Sequence, residues 1–363
     1  MMIRTEEYTE LLRQMIRIPS PSFGEDGVCS LLSSALDGFG LPHRRFGNNL
    51  MVPCRNFSPK KKTLALLAHM DTVPAAGGYT RDPYDPGVDD SIIYGLGAND
   101  DGGSVVSMIA AFRHFFEAPL PFNLLLVLGS EEERSGENGA AAVFAPEGPL
   151  VTGGLNLPDW AIVGEPTCMK AATSERGLLV LDGLARGKSG HAARGEGVNA
   201  LYIALDDIAA LRAHSFDRIS TAMGEVMLNV TQIQAGSAHN VIPDECRFVV
   251  DIRPTEKYTN AEVLEELQKI CRSELRPRNL GNRSSATRQD SPLLKAAADA
   301  GMPAFSSPTT SDWMRLGCDA LKLGPGDSAR SHRADEYILT SEICAGIDGY
   351  IAFINAFYGN FVE

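Results

Sequence analysis

Imidazole and carboxylate side chains follow an apolar segment of the chain, and these are the groups that bind divalent metals or move protons. His69 and Asp71 come directly after the apolar run Thr63–Ala68 and lie two residues apart, so in extended chain both project from the same side. One of them can bind a metal while the other orients it or a water molecule. The alternative for a single histidine is an ordinary core or surface residue. The neighbouring Asp71 and the strand-end position weigh against that alternative.

A second acidic segment is rich in glycine. Asp100 and Asp101 are adjacent within Gly95–Gly103, and its glycines let the backbone turn and approach a charged centre closely. The alternative is a turn with an Asx cap before a helix that begins near Ser104. This segment alone does not decide between a metal ligand and a cap.

Three consecutive glutamates follow the apolar run Phe122–Gly129. On an irregular backbone, Glu132 and Glu133 can take different roles, one as a metal ligand and the other as a proton acceptor for water. Burying several carboxylates together without cations is costly, so the segment predicts either a metal or full exposure to solvent. An exposed helix start is the alternative.

Further candidates lie later in the chain. Glu165 follows the run AIV and His332 follows the run ALKL, so each is expected near a strand end, where it can complete a coordination set. The middle of the chain adds His191, Asn240 and Arg253 as candidates.

Composition and missing motifs exclude several classes. ARGKSG has Asp182 where a phosphate-binding loop needs its first glycine, and Asp100 replaces the third glycine of a dinucleotide fingerprint. A net charge of −13 disfavours nucleic acid. Seven cysteines without a CxxC pair predict reduced thiols in a cytoplasmic protein. No apolar stretch approaches the ~18 residues of a membrane span, so no membrane partner is expected.

The predicted elements suggest two domains. Helices predicted at about 5–17 and at Ser104–Ala118, set among apolar runs, indicate an α/β layer structure. From about residue 174 the pattern changes to β-α-β-β-α, with strands predicted at Leu178–Ala185, Val226–Ala235 and Glu245–Asp251 and helices at Asn199–His214 and Asn260–Leu275. We therefore predict a domain formed by residues 1–173 and 285–363, with a second domain, residues 174–284, inserted in it.

Seven strings occur in a familiar order over nearly the whole chain: HMDTVP, GLGANDDGG, SEEE, GEPT, GHAA, NVIP with DIRP, and GPG followed by SHRADEY. In this order they resemble the cocatalytic zinc family that includes acetylornithine deacetylase, succinyl-diaminopimelate desuccinylase, aminoacylase and carboxypeptidase G. The resemblance implies a mixed-sheet α/β zinc-peptidase-like catalytic domain. It also implies that the inserted domain is an α+β, ferredoxin-like lid that dimerises.

The resemblance assigns a role to each candidate. It implies metal ligands at His69, Asp100, Glu133, Glu165 and His332, with Asp100 bridging two ions, Glu165 completing the first site, and Glu133 with His332 completing the second. It implies catalytic roles for Asp71, which orients His69, for Glu132, the general base, and for His191, lent to the partner subunit's site. It implies substrate-binding roles for Asn240, which is lent with His191 to the partner subunit's site, and for Arg253, which holds the substrate's carboxylate. The Asp100–Asp101 peptide is expected to be cis, as in relatives.

The implied activity is amide hydrolysis with two divalent ions, Zn²⁺ by resemblance and Co²⁺ as an alternative. The expected substrate is an N-acetyl or N-succinyl amino acid such as ornithine or citrulline, in arginine biosynthesis. Two alternatives are a dipeptidase or carboxypeptidase of the same architecture and a non-catalytic relative that binds a metabolite. One departure is Gly102, where the family usually has lysine. That change leaves the ligand set intact but puts local charge and substrate choice in question.

Overall fold

The computed structural model describes residues 4–361, and they form two compact units. The first unit extends to Thr173, includes Thr287–Phe305 and resumes at Ser311. The second comprises Ser174–Ala286 and Ser306–Thr310.

The helices of the described chain are α1 (Thr5–Ile16), α2 (Asp26–Gly38), α3 (Gly103–Phe115), α4 (Ala140–Val143), α5 (Pro149–Thr152), α6 (Ala200–Ala213), α7 (Asn260–Ile270), α8 (Pro292–Asp299) and α9 (Thr340–Gly359). The strands are β1 (Arg44–Phe46), β2 (Asn49–Pro53), β3 (Thr63–His69), β4 (Ile92–Tyr94), β5 (Asn123–Gly129), β6 (Trp160–Val163), β7 (Ala171–Glu175), β8 (Leu179–Arg186), β9 (Gly190–His191), β10 (Met227–Ala235), β11 (Val241–Ile242), β12 (Glu245–Arg253), β13 (Glu274–Pro277), β14 (Ser285–Ala286), β15 (Ala304–Ser307), β16 (Asp319–Lys322) and β17 (Tyr337–Leu339).

The first unit is built on a mixed sheet, as the sequence predicted. Its hydrogen-bonded neighbours run β1-β2-β5-β3-β6-β16-β7. The central strands β5, β3, β6 and β16 are parallel, whereas β1, β2 and β7 join antiparallel. Every residue of β3 and β5 is buried, because strands covered on both faces must be apolar throughout.

Helices and loops cover both faces of this sheet. Alternate residues of β3 enter different cores: Leu64 and Leu66 pack in the cluster with α1, α3 and α9, while Ala65 and Leu67 pack in a second cluster on the opposite face. Helix α3 is buried at every position except Arg113 and His114, which explains its apolar sequence on all sides.

The predicted ends of two helices can be compared with the structure: α1 ends close to its predicted position, whereas α3 ends earlier than predicted. Helix α3 ends at Phe115, three residues before the predicted end, because Pro119 disfavours helical backbone at the preceding Ala118. Helix α1 ends at Ile16, close to the predicted position, and buries the stripe Tyr8, Leu11, Leu12, Met15 and Ile16. No described helix is both long enough and apolar enough to cross a membrane.

The second unit has the order β8-α6-β10-β12-α7-β13, and its antiparallel sheet runs β10-β12-β8-β13. This is the ferredoxin-like arrangement. The predicted helix Asn260–Leu275 is too long: α7 ends at Ile270, and β13 then pairs with β8. The cause is Asp207 of α6, whose carboxylate accepts the backbone N–H groups of Arg272 and Ser273 and so holds them out of the helix.

One face of this second sheet is packed tightly against helices. Along β12 the residues Cys246, Phe248, Val250 and Ile252 are buried, and their alternate neighbours are more exposed. Gly183 of β8 lies directly opposite Phe248 in the register. A Cβ atom at position 183 would overlap the Phe248 ring, so the glycine is required by the packing of that ring.

We expect Gly183→Ala to lower the free energy of unfolding by about 1–3 kcal/mol, because the added methyl group overpacks the site under Phe248. Gly38→Ala is the matched control: position 38 closes α2, has open space around its Cβ direction, and should gain up to about 1 kcal/mol from better helix propensity. Denaturant unfolding of both variants checks this. Equal effects in the two variants would contradict the packing assignment.

Candidate metal centre

The ends of three parallel strands bring the predicted site residues to one edge of the sheet. Strand β3 ends at His69, β5 ends just before the turn that carries Glu132 and Glu133, and β6 ends just before Glu165. Strand β3 pairs in parallel with both β5 and β6. Their carboxyl ends therefore meet at one edge, where α/β sheets place ligands.

His69 is buried and held in one orientation. Its Nδ1 lies 3.0 Å from the backbone oxygen of Asp71, which can only accept, so Nδ1 carries the hydrogen. The other ring nitrogen, Nε2, lies 3.3 Å from Oδ1 of Asp100. Burial acts to lower the pKa of His69, but its hydrogen bonds to Asp100 and Asp71 raise that pKa well above the usual value. His69 Nε2 and Asp100 Oδ1 thus face each other at a distance that a shared proton, or a cation held by both atoms, would satisfy.

Asp71 organises more of the site than the sequence predicted. Its carboxylate accepts the Ser22 hydroxyl at 2.7 Å and the backbone N–H groups of Glu132 and Glu133, each at 3.1 Å. Burial acts to raise the pKa of Asp71, but its contacts with His69, together with the hydrogen bonds from Ser22 and the Glu133 N–H, lower the pKa overall. Asp71 therefore contacts His69 Nδ1 through its backbone oxygen at 3.0 Å, and its carboxylate fixes the turn that carries both glutamates.

Asp100 faces two imidazoles at once. Its Oδ1 lies 3.3 Å from His69 Nε2, and its Oδ2 lies 3.8 Å from His332 Nε2. The Asp100–Asp101 peptide is cis. The adjacent Asp101 is also buried, and burial raises its pKa to about 8. A carboxylate with one oxygen toward each of two histidines has the arrangement of a bridging ligand.

His332 and Glu133 form the other side of the centre. His332 Nε2 lies 3.0 Å from Glu133 Oε1, and this hydrogen bond is the main cause that raises the pKa of His332 to about 9. The histidine has left-handed backbone, with φ of 60°, and its side chain is about half exposed. Ligand atoms of His69, Asp100 and Glu133 all lie within 4.8 Å of one another.

Glu132 and Glu165 add two more carboxyl groups to the same electrostatic environment. Burial raises the pKa of Glu132 well above its usual value, and Glu165 is among the carboxylates that raise it further. Burial also raises the pKa of Glu165, with Lys322 opposing and Asp100 adding to the shift. Each carboxyl thus makes it harder for its neighbours to ionise.

The donor set fits a pair of divalent cations. Two imidazole nitrogens each face a carboxylate oxygen, and the surrounding carboxyl groups are held at raised pKa by burial and mutual repulsion, which cations relieve. A mixed set of imidazole and carboxylate ligands suits zinc, cobalt or manganese, so it does not select one metal.

Two neighbours of this centre were not found from the sequence. Lys322 in β16 is buried and lowers the pKa of Glu165, and Asp312 raises the pKa of Glu132. The strand ALKL offered one indication, because lysine is rarely buried without a charged partner. Asp312 follows no apolar run and had no comparable indication.

Gly102 has a steric reason in this chain. A Cβ atom there would lie 2.5 Å from the backbone oxygen of Gly97 and 2.5 Å from Cδ1 of Leu12 in α1. The lysine that the family resemblance places at this position would therefore require both neighbours to move.

The remaining predicted residues lie in the second unit. His191 in β9 pairs with Val241 in β11, and the backbone oxygen of Asn240 accepts the Ala192 N–H at 3.0 Å, so His191 and Asn240 are close together. Both residues are exposed.

Arg253 ends β12 in the same unit. Its Nε and Nη2 donate to the two carboxylate oxygens of Asp251 at 2.8 and 3.1 Å. A ligand carboxylate at Arg253 must use the opposite edge of the guanidinium or displace Asp251.

Comparison with known proteins agrees with this geometry. Residues 65–356 match peptidase family M20/M25/M40. The chain is 31% identical over 279 residues to a succinyl-diaminopimelate desuccinylase of Xanthomonas campestris, covering 72% of this chain and 71% of that protein. It is 28% identical to an acetylornithine deacetylase of Proteus mirabilis, covering 93% of each.

Solved structures share the fold. Aminopeptidase PepT from Bacillus cereus superimposes with a TM-score of 0.77 at 18% identity, covering 98% of this chain and 99% of that one. A dinuclear metal-binding peptidase of the M20 family from Bacillus subtilis gives 0.72 at 16% identity, covering 97% and 99%. Since the family match spans most of its length, the chain belongs to peptidase family M20/M25/M40 and is a metal-dependent hydrolase of amide bonds.

Proposed function

We propose that this hydrolase removes an acetyl or succinyl group from the α-nitrogen of an amino acid such as ornithine or citrulline, as a step of arginine biosynthesis. The observation that carries the catalytic part is Asp100, whose two oxygens face His69 and His332. The substrate class is supported by relatives named acetylornithine deacetylase and succinyl-diaminopimelate desuccinylase.

In this proposal His69, Asp100 and Glu165 hold one ion, and Asp100, Glu133 and His332 hold the other. Two divalent ions at these residues supply Lewis acidity, which polarises the amide carbonyl and lowers the pKa of water. We expect Zn²⁺, with Co²⁺ accepted by the same donors.

Glu132 is assigned the proton transfers. Its carboxylate takes a proton from the attacking water and returns it to the amine nitrogen as the amide C–N bond breaks, so acid and amine are released with protons in balance. Asp71 supports the step, because it accepts the Glu132 N–H and so fixes the turn.

Residues of the second unit complete the proposed machinery. We assign His191 to stabilising the oxyanion that forms on the substrate. We assign Asn240 and Arg253 to binding the substrate, with Arg253 holding its carboxylate. A well-placed oxyanion donor contributes about 3–4 kcal/mol to the transition state.

We also propose that the chain works as a homodimer joined through its second unit, each copy lending His191 to the other's site. Strand β10 is an edge strand of the ferredoxin-like sheet, with unpaired backbone groups along one side. Exposed apolar side chains lie on β10 and on α6, namely Met227, Ile233, Tyr202 and Leu205, and Ile233 and Leu205 line one surface depression. A second copy of the same surface would pair the edge and cover these side chains.

The substrate class is tested with a panel of N-acetyl-ornithine, N-acetyl-citrulline, N-succinyl-citrulline, N-succinyl-diaminopimelate and dipeptides, each with added Zn²⁺. We expect kcat/KM for an N-acyl amino acid to exceed that for any dipeptide by about tenfold or more, a transition-state difference of ~1.4 kcal/mol. Chelated protein is the blank.

The same panel decides between the alternatives. Several structural neighbours are peptidases, among them the yeast dipeptidase Dug1p, and faster cleavage of dipeptides would replace the deacylase assignment with a peptidase. Metal-loaded protein inert on every substrate would indicate a non-catalytic relative.

We expect Glu132→Ala to lower kcat by about 10²–10⁴-fold, because general acid–base catalysis is lost while the proposed ligands remain. Glu137→Ala is the matched control, since Glu137 is an exposed glutamate five residues further along the chain. Turnover numbers and metal content of both variants provide the measurement. Wild-type turnover in Glu132→Ala would refute the assigned role.

Sedimentation velocity tests the dimer. Leu205→Glu should convert the protein to monomers and reduce activity, since a charge on the apolar surface of α6 must be desolvated in the interface. Val88→Glu, at an almost fully exposed valine of the first unit, should remain dimeric. A fully active wild-type monomer would disprove the shared site.

A further inference from the structure

Two loops far apart in the sequence carry the ligands proposed for the second ion. Asp100 lies in the irregular turn Ala98–Gly102, and His332 lies in the loop between β16 and β17. The spacing of their ligand atoms, 3.8 Å between Asp100 Oδ2 and His332 Nε2, depends on how these two loops are held against each other.

Glu336 fastens the second loop to the first. Its side chain is 2% exposed, and its Oε1 accepts the backbone N–H groups of both Asn99 and Asp100 at 2.9 Å. Its backbone oxygen also accepts the Gly95 N–H at 2.8 Å. A single carboxylate from the His332 loop therefore fixes the backbone from which the Asp100 side chain departs.

Asn99 makes the reverse connection. Its side chain is completely buried, its Oδ1 accepts the Asp327 N–H at 2.9 Å, and its Nδ2 donates to the Asp327 backbone oxygen at 3.1 Å and to Ser331 Oγ at 3.4 Å. Gly326 makes this approach possible, because a Cβ atom there would overlap Oδ1 of Asn99. The amide thus holds the start of the loop that Glu336 holds at its end.

These two connections lie on either side of His332 in the chain. The histidine itself is half exposed and has left-handed backbone, so little packing against its side chain fixes its position. We call the hydrogen bonds of Asn99 to Asp327 and Ser331, and those of Glu336 to the Asn99 and Asp100 N–H groups, the two clamps of this loop. The clamps therefore set the position of the His332 ring relative to Asp100.

We propose that Asn99 and Glu336 are a reciprocal pair of positioning residues that set the Asp100–His332 spacing and thereby the affinity for the second metal ion. This inference rests on the proposed dinuclear function. Neither side chain is a ligand in that proposal; each acts through the loop it holds, as residues behind metal ligands do when they orient them.

The test is stepwise titration of chelated, full-length protein with Zn²⁺ by calorimetry, repeated with Co²⁺ to read the visible spectrum of each site. In Glu336→Ala and Asn99→Ala we expect the second ion, which depends on both loops, to bind about 10- to 100-fold more weakly. The first ion shares Asp100 but keeps His69 and Glu165 in place, so we expect it to lose clearly less affinity than the second. Glu336→Gln should keep most of the second ion's affinity, because an amide oxygen can accept the same two N–H groups.

Asp207→Ala is the matched control. Asp207 is also a buried carboxylate that accepts two neighbouring backbone N–H groups, those of Arg272 and Ser273, but in the second unit. It should leave both ions bound as in wild type even if the protein is less stable.

Hydrogen exchange of the metal-free proteins measures how firmly Glu336 holds the Asn99 and Asp100 backbone, independently of metal binding. The Asn99 and Asp100 amides should exchange faster in Glu336→Ala than in wild type or Asp207→Ala. Wild-type affinity for both ions in Glu336→Ala, or equal weakening of both ions, would overturn the positioning role and leave the proposed function standing. A wild-type protein that binds fewer than two ions would overturn the proposed function and this inference with it, whatever the exchange rates.

Discussion

Carboxyl groups from separate segments of the chain surround two imidazoles at one edge of the central sheet, and their mutual repulsion is the constraint that the rest of the structure must meet. Burial alone raises the pKa of Glu132 and Glu165, and each neighbouring carboxylate raises it further. Such a cluster is tolerated only where cations balance the charge or protons neutralise it. A pair of divalent ions bound beside Asp100 would neutralise the repulsion between these carboxylates and would also supply the chemistry of amide hydrolysis.

The parallel strands hold the residues at this edge of the sheet in fixed positions. Strands β3, β5 and β6 are buried on both faces, so the positions at their ends are fixed by packing rather than by loop preference. Asp71 follows β3 directly and links the strand end to the neighbouring turn. Its carboxylate contacts His69 and accepts the backbone N–H groups of Glu132 and Glu133. Loss of this one group would loosen three proposed functional side chains.

The second unit follows different rules. Its ferredoxin-like sheet has one face packed on helices and ends in a mostly exposed edge strand, β10. Arg253 is already paired with Asp251, so substrate carboxylate would compete with or extend an existing ion pair. Fold alone does not choose the substrate, since related architectures carry deacylases and peptidases alike.

Much of the fold was predictable because the relevant information is local. Fully apolar runs marked β3 and β5 as covered strands, and the stripe of apolar residues marked α1. Helix α7 was predicted too long because the group that ends it, Asp207, lies 65 residues away from Arg272. No pattern within a window of sequence contains a contact of that separation.

The sequence by itself determined which residue types follow the apolar runs and in what order. The order of these motifs, through their resemblance to a known family, then predicted the mixed-sheet fold and the candidate ligands. Tertiary structure decided which of these groups meet: the two carboxylate oxygens of Asp100 lie toward His69 and His332. It also decided that Asn99 and Glu336 hold two distant loops together. The physical reason is that hydrogen bonds and charge pairs depend on distance in space, and those distances exist only after the sheet has packed.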